Sequence, residues 1–312
     1  MPGKDLLSIA DLSGSDIRLL ISNTIDIKDK GWRSLLNEKV MVLLFEKPSL
    51  RTRISFEVAM RQLGGSTIYL SPAEVGLGER EPVADVARVL SRYADVIVAR
   101  TFSHQTIEEL ARHSDVPVIN ALSDLEHPCQ ALADLLTIYE EKKRLEGLNL
   151  AYIGDGNNVA HSLMLAASLT GINFRIASPH SYTIQESILN LAQNYAADSG
   201  AEILCTEDPR LAVDGADIIY TDVWTSMGQE TEAETRRRIF TGYQVDSVLM
   251  SLAREDTIMM HPLPAHRGEE VTGDILDGPQ SVVLDQAENR MHIQKTLLAR
   301  MLDGLEITKA NF

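Results

Sequence analysis

Cysteine is nearly absent from this chain: Cys129 and Cys205 are the only two in 312 residues. Two thiols build neither a disulfide framework nor a thiolate metal site. Basic side chains are also in the minority, 29 Lys and Arg against 45 Asp and Glu, for a net charge of −16. That balance argues against a nucleic-acid or anionic-membrane surface, so a local group of arginines points to a specific anion pocket. No apolar run approaches the roughly 20 residues that span a bilayer, and the opening Met1-Pro-Gly-Lys-Asp-Leu-Leu7 lacks the apolar stretch of a signal peptide. Internal repeats and low-complexity segments are missing too. What is there is an ordinary globular composition, 44% hydrophobic and 24% charged, at a length that suits two domains. The expectation is a cytoplasmic enzyme or binding protein.

The chain is organised around Phe45-Glu-Lys-Pro-Ser-Leu-Arg-Thr-Arg-Ile-Ser-Phe-Glu57. The apolar run 40–45 reads as a buried strand, broken by Pro48. Ser49 then stands where a helix N-cap belongs, and Ile54, Val58 and Leu63, with Phe56 and Met60, suit an amphipathic helix. Ser49, Leu50, Arg51 and Thr52 therefore lie where backbone N–H groups have no intrahelical partner and the helix dipole is positive. Two hydroxyls and a guanidinium there suit a phosphate. An ordinary capped helix with surface arginines would read the same way.

Arg100, just past an expected strand at 96–99, is a second candidate anion ligand, because open parallel sheets bind ligands beyond the carboxyl ends of their strands, although a solvated charge after a strand would occupy the same position. His127 and Gln130, three apart, open a helix expected to reach Arg144, with Pro128 in its first turn. His127 can donate to a polarised carbonyl oxygen and Gln130 can bond an amide. Residues 5–30 read as helical, with Ser13 a cap, and 71–81 as a polar, Gly-rich loop that is mobile or ordered by a partner.

From Asn149 a strand–turn–helix pattern restarts, so the expected fold is α/β, with two doubly wound parallel-sheet domains. Gly154-Asp-Gly156 invites a dinucleotide reading, yet Val159 fills the place of the third glycine. The strand that should lead to a ribose-binding acid ends in Ala177-Ser178-Pro179. Asn157 and Asn158 put two amides at the strand end, which suits a zwitterionic substrate better than a pyrophosphate.

Taken together, these landmarks closely resemble the ornithine carbamoyltransferase family over essentially the whole chain. The motifs are Phe45-Glu-Lys-Pro-Ser-x-Arg-Thr-Arg53, His127-Pro-Cys-Gln130, Asp155-Gly-Asn-Asn158, Asp222-Val-Trp-Thr-Ser-Met-Gly-Gln-Glu230, His261-x-Leu-Pro-Ala-His-Arg-Gly268 and Ala287-Glu-Asn-Arg290. The resemblance implies a carbamoyl-phosphate domain at 1–146, an ornithine domain at 147–287, and a last helix, 288–312, that packs back on the first. It implies a homotrimer, or a multiple of one, with active sites at subunit junctions. By position, the phosphate ligands fall on Ser49, Leu50 through its backbone, Arg51, Thr52 and Arg100. The carbamoyl ligands fall on His127, Gln130, the Leu263 backbone and Arg290, and the ornithine ligands on Asn158, Asp222, Ser226 and Met227. Asp222 can pair the α-ammonium and Asn158 the carboxylate.

Three residues depart from the family pattern. Leu50 stands for the usual Thr, which keeps a backbone N–H and loses a hydroxyl. Gly76 stands for a Gln that reaches a neighbouring subunit's phosphate, a contact that Glu79 or Arg80 could supply. Pro262, after His261, stands for a Cys assigned to the attacking amine, and proline can neither contact that amine through a thiol nor accept its proton. The expected chemistry is direct attack of a neutral amine on the carbonyl carbon, with Arg51, Thr52, Arg100 and His127 carrying the catalysis. It needs no metal or cofactor. The rival readings are a carbamoyltransferase for another amine (putrescine, an acylated ornithine or aspartate), a non-catalytic binding protein, and a dehydrogenase.

Overall fold

The computed structural model describes residues 3–30, 34–77, 81–226, 228 and 230–302. The chain divides into two compact units, one of residues 1–133 with 288–312 and one of residues 134–287.

The first unit holds strands β1 (Val40–Phe45), β2 (Ser66–Leu70), β3 (Val96–Arg100) and β4 (Val118–Leu122), all parallel, in the order β2-β1-β3-β4. β3 is buried throughout and β1 almost so, as expected of central strands covered on both faces. The strand order reverses between β1 and β3, which makes their carboxyl ends the switch point where such sheets bind ligands. Of the residues 5–30 expected to be helical, Gly14–Lys30 form an α-helix and Ile9–Asp11 a short 3-10 turn. Ahead of it, Leu6 lies beside Ile119 of β4, with Leu6 N donating to the Val118 carbonyl (2.9 Å) and Asn120 N to the Leu6 carbonyl (2.8 Å). A sheet edge thus claims the apolar Leu6 that sequence periodicity assigned to a helix.

The loop expected over 71–81 also differs, because it contains a short helix, Pro72–Val75. Ser71 and Glu74 form a reciprocal capping box and Pro72 occupies the first turn, so the local sequence starts a helix; Gly76, in the left-handed region (φ 49°), ends it. Glu79 and Arg80 lie outside the described residues. The C-terminal helix Val283–Leu302 joins the first unit from Glu288 onward, where Thr24 Oγ1 lies 2.9 Å from Thr296 Oγ1 and Lys28 donates to Asn289 (2.9 Å).

The second unit holds β5 (Asn149–Ile153), β6 (Asn173–Ala177), β7 (Ile203–Thr206), β8 (Ile218–Thr221) and β9 (Ile258–Met260), again all parallel, in the order β7-β6-β5-β8-β9. Here the order reverses between β5 and β8. Tyr152 and Tyr220 from these two strands stack 5.6 Å apart in the core. The two expected doubly wound α/β sheets are both present.

Candidate active site

In the first unit, the handover from β1 to the helix Leu50–Gln62 builds an anion-ready turn. Ser49 is the N-cap, its Oγ accepting from Thr52 N at 3.3 Å. The Leu50 side chain is 69% exposed, so what this residue presents at the helix start is its backbone. Thr52 is buried, and its hydroxyl accepts from Arg290 of the C-terminal helix at 2.7 Å. Arg100, the last residue of β3, is buried. Burial and the nearby Arg290 and Arg51 guanidiniums pull its pKa down to about 10.

His127 and Gln130, at the start of the helix Pro128–Lys142, are buried as well, with Gln130 N donating to the His127 carbonyl at 3.0 Å. Burial, then Arg290 and Arg100, hold the His127 imidazole well below its ordinary range, so it is neutral at pH 7. The structure therefore brings Ser49, Leu50, Arg51, Thr52, Arg100, His127, Gln130 and Arg290 to one end of one sheet. A cluster of guanidiniums that repel one another is relieved by an anion, and its concentration at a helix N-terminus suits a phosphate ester or anhydride. Cys129, in the same turn, has its thiol pushed up to about 12 by burial and is no nucleophile at neutral pH. Gly76 ends the short helix Pro72–Val75.

In the second unit, the ends of β5, β8 and β9 carry the remaining residues. Asn157 caps the helix Asn158–Thr170, its Oδ1 accepting from Val159 N and Ala160 N, while its Nδ2 donates to Asp222 at 2.8 Å. The other Asp222 oxygen accepts from Val223 N at 2.8 Å. Burial raises the Asp222 pKa, against the hydrogen bonds that favour the carboxylate. Such a carboxylate suits an ammonium ligand. Ser226 is half-buried in the turn that follows, and Met227 lies outside the described residues.

His261 is fully buried: its N–H donates to Gln286 (2.9 Å), its Nδ1 accepts from Leu263 N (2.9 Å), and its Nε2 lies 3.1 Å from Glu270. An Nδ1 that accepts puts the imidazole proton on Nε2, where it donates to Glu270. The Leu263 N–H is thus occupied, on a backbone held in the left-handed region (φ 51°). Pro262 is buried and has no ionisable group.

The dinucleotide reading loses its remaining support in this turn. A Cβ on Gly156 would lie 2.5 Å from Ile184 N and from the Thr183 carbonyl carbon, so the glycine serves packing against the next loop. Gly156→Ala is expected to cost about 1–3 kcal/mol by overpacking, read as a lower denaturant midpoint at unchanged slope.

Sequence reasoning missed Glu270, Gln286 and Arg236. The first two lie inside or beside recognised motifs and become legible only through their contacts. Arg236 sits in a run of three arginines, of which it alone is buried.

The two strand-end clusters, one cationic and one holding a buried carboxylate, suit an anionic and an ammonium-bearing ligand. Residues 4–140 match the family described as aspartate/ornithine carbamoyltransferase, carbamoyl-P binding domain. Residues 146–301 match its Asp/Orn binding domain. The chain belongs to the aspartate/ornithine carbamoyltransferase family and is a carbamoyltransferase.

It is 51% identical over 306 residues to the ornithine carbamoyltransferase of Anoxybacillus flavithermus, covering 97% of this chain and 98% of that one. It is 48% identical over 312 residues, 98% of each chain, to the Pyrococcus furiosus protein named ornithine carbamoyltransferase, anabolic. A solved Pyrococcus furiosus ornithine carbamoyltransferase superposes with a TM-score of 0.94 at 49% identity, covering 98% of this chain and 99% of that one. The motif resemblance to ornithine carbamoyltransferases is thus met along the whole chain. No helix among the described residues is long and apolar enough to cross a membrane.

Proposed function

We propose that this protein transfers the carbamoyl group of carbamoyl phosphate to the side-chain amine of L-ornithine, giving L-citrulline and phosphate. The observation that carries the reading is the cluster of Arg51, Arg100 and Arg290 around the N-terminus of the helix Leu50–Gln62, with Arg290 bonded to Thr52. Residues 1–146 with 288–312 form the carbamoyl-phosphate domain in this reading, and 147–287 the ornithine domain. Ser49, the Leu50 N–H, Arg51, Thr52 and Arg100 take the phosphate. Gln130, Arg290 and the Leu263 carbonyl hold the carbamoyl group. Asp222 pairs the α-ammonium, with Asn158, Ser226 and Met227 completing the ornithine side.

The neutral amine attacks the carbonyl carbon, and the new C–N bond replaces the C–O bond to phosphate. The departing phosphate carries away that bond's electron pair and accepts the amine's proton. Thr52, Arg100 and the neutral His127 stabilise the oxyanion formed on the way. The leaving group acts as the base, so Pro262 costs the reaction nothing. Much of the rate then comes from positioning and electrostatics.

We further infer a cytoplasmic homotrimer that works in arginine biosynthesis, a direction supported by the Pyrococcus furiosus relative named anabolic. Light scattering tests the trimer. The function is tested by ureido formation from carbamoyl phosphate with L-ornithine, L-aspartate, putrescine and N-acetyl-L-ornithine. Product with ornithine alone is expected. Preference for another amine would overturn the ornithine assignment, and product with none would overturn catalysis itself.

A further inference from the structure

Arg236 is the one buried member of Arg236-Arg237-Arg238 on the helix Ala233–Ile239. A single guanidinium nitrogen, Nη1, donates both to Asp155 (2.7 Å) and to the carbonyl of Trp224 (3.0 Å). Its Nε donates to Glu232 (3.2 Å), and its carbon lies 4.6 Å from the centre of the Tyr182 ring. These contacts come from three different crossovers. Asp155 follows β5, Tyr182 follows β6, and Trp224 follows β8, two residues after Asp222 and two before Ser226.

The neighbouring contacts reinforce the same tie. Gly156 N donates to the Tyr182 carbonyl at 2.8 Å, and Asn157 holds Asp222. Tyr182 and Trp224 both pack against Phe240, with ring centres 4.9 and 5.9 Å away. Asp155 is buried, and its burial raises its pKa against the pull of the Arg236 bond. An ion pair buried to this degree is a weak source of net stability but a strong source of fixed geometry, since each charge has few other partners.

We propose that Arg236 is a positioning residue for the amino-acid substrate: paired with Asp155, it fixes the turn after Asp222 that carries Ser226, and through that turn sets amine affinity. The inference rests on the carbamoyltransfer reading above, with ornithine as the amine. Arg236 itself touches no substrate; it acts by holding the Trp224 carbonyl and the β5 turn in register.

The experiment compares Arg236→Met, Arg236→Lys, Asp155→Asn and the Arg236→Met/Asp155→Asn pair with the wild type in steady-state kinetics and thermal melts. Arg236→Met is expected to raise the ornithine KM by roughly 10- to 100-fold, the effect of a small misplacement of binding groups. The carbamoyl-phosphate KM should stay within about twofold, a split that a global folding defect would not produce. Arg236→Lys should recover only part of the loss, because an ammonium cannot reproduce the fork that meets Asp155, Trp224 and Glu232. The double variant should be no worse than the poorer single variant if the two residues act as one unit. Wild-type ornithine KM in Arg236→Met, or equal rises in both KM values, would overturn the proposal. If Arg236→Met does not fold, the same split in Arg236→Lys and Asp155→Asn decides it. Failure of the wild type to carbamoylate ornithine would instead defeat the functional reading on which the proposal rests.

Discussion

Arg100→Met is expected to lower kcat/KM for carbamoyl phosphate by roughly 10²–10³-fold, about 2.7–4 kcal/mol of transition-state stabilisation, while leaving the protein without ligand no less stable. The two halves of that result have one cause. Arg100 is buried at the end of β3, its Nε is buried with no hydrogen-bond partner among the described residues, and Arg290 and Arg51 lie close enough to depress its pKa to about 10. A cation whose pKa is lower in the folded chain than in the unfolded one costs stability wherever it stays protonated. Here that means at every pH below about 10, and the cost fades as pH rises from there toward the ordinary guanidinium range.

Methionine keeps much of the apolar stem and removes the charge, so at neutral pH the repulsion disappears together with the phosphate contact. The same repulsion explains why an anion should stabilise the wild type: phosphate binds the folded cluster and not the unfolded chain. Steady-state kinetics and a denaturant melt with and without phosphate check both halves. Full activity in the variant would remove Arg100 from the phosphate site. A large loss of stability would make it a structural residue.

The second large effect is expected at Asp222. Asp222→Asn should reduce kcat/KM for ornithine by roughly 10²–10³-fold, about 2.7–4 kcal/mol, the scale of breaking a buried charge pair, with carbamoyl-phosphate binding little changed. The carboxylate is already engaged by Asn157 Nδ2 and Val223 N, each at 2.8 Å, so it is held in place before any ligand arrives. An asparagine has the same shape but only one acceptor oxygen. It must either present its NH2 to the Asn157 NH2 or to Val223 N, and either choice leaves a part-buried donor without its acceptor. The ammonium of the substrate loses its countercharge as well. Kinetics with ornithine varied at saturating carbamoyl phosphate give the answer, and an unchanged ornithine KM would move the α-ammonium contact elsewhere.

Much of this protein is legible in its sequence because its chemistry sits at strand ends. Each of Ser49, Arg100, His127, Asn158 and Asp222 lies within a few residues of an apolar run that forms a strand, and in a parallel sheet every carboxyl end faces the same way. Local rules therefore place these groups at a ligand-binding edge, and their chemical types say which ligand. The helix caps at Ser49 and Asn157 follow from the same local physics, since each satisfies backbone donors within three residues of itself.

Other features resisted that reading. Periodicity places Leu6 in a helix because it cannot register an edge such as that of β4, whose backbone groups bond to it from more than 110 residues away. The helix Pro72–Val75 was hidden by the polar, Gly-rich composition around a capping box that was itself present.

What the sequence determined by itself is thus the strands, their parallel arrangement and the residue types at their ends. Only the tertiary structure decided that Arg290 reaches Thr52 across 238 positions, that the His261 N–H donates to Gln286 across 25, and that Arg236 alone among three adjacent arginines turns inward to Asp155. Periodicity fixes which face of an element is apolar. A buried polar group is fixed by the partner that satisfies it, and that partner is distant in the chain, so it becomes visible only once the chain has folded.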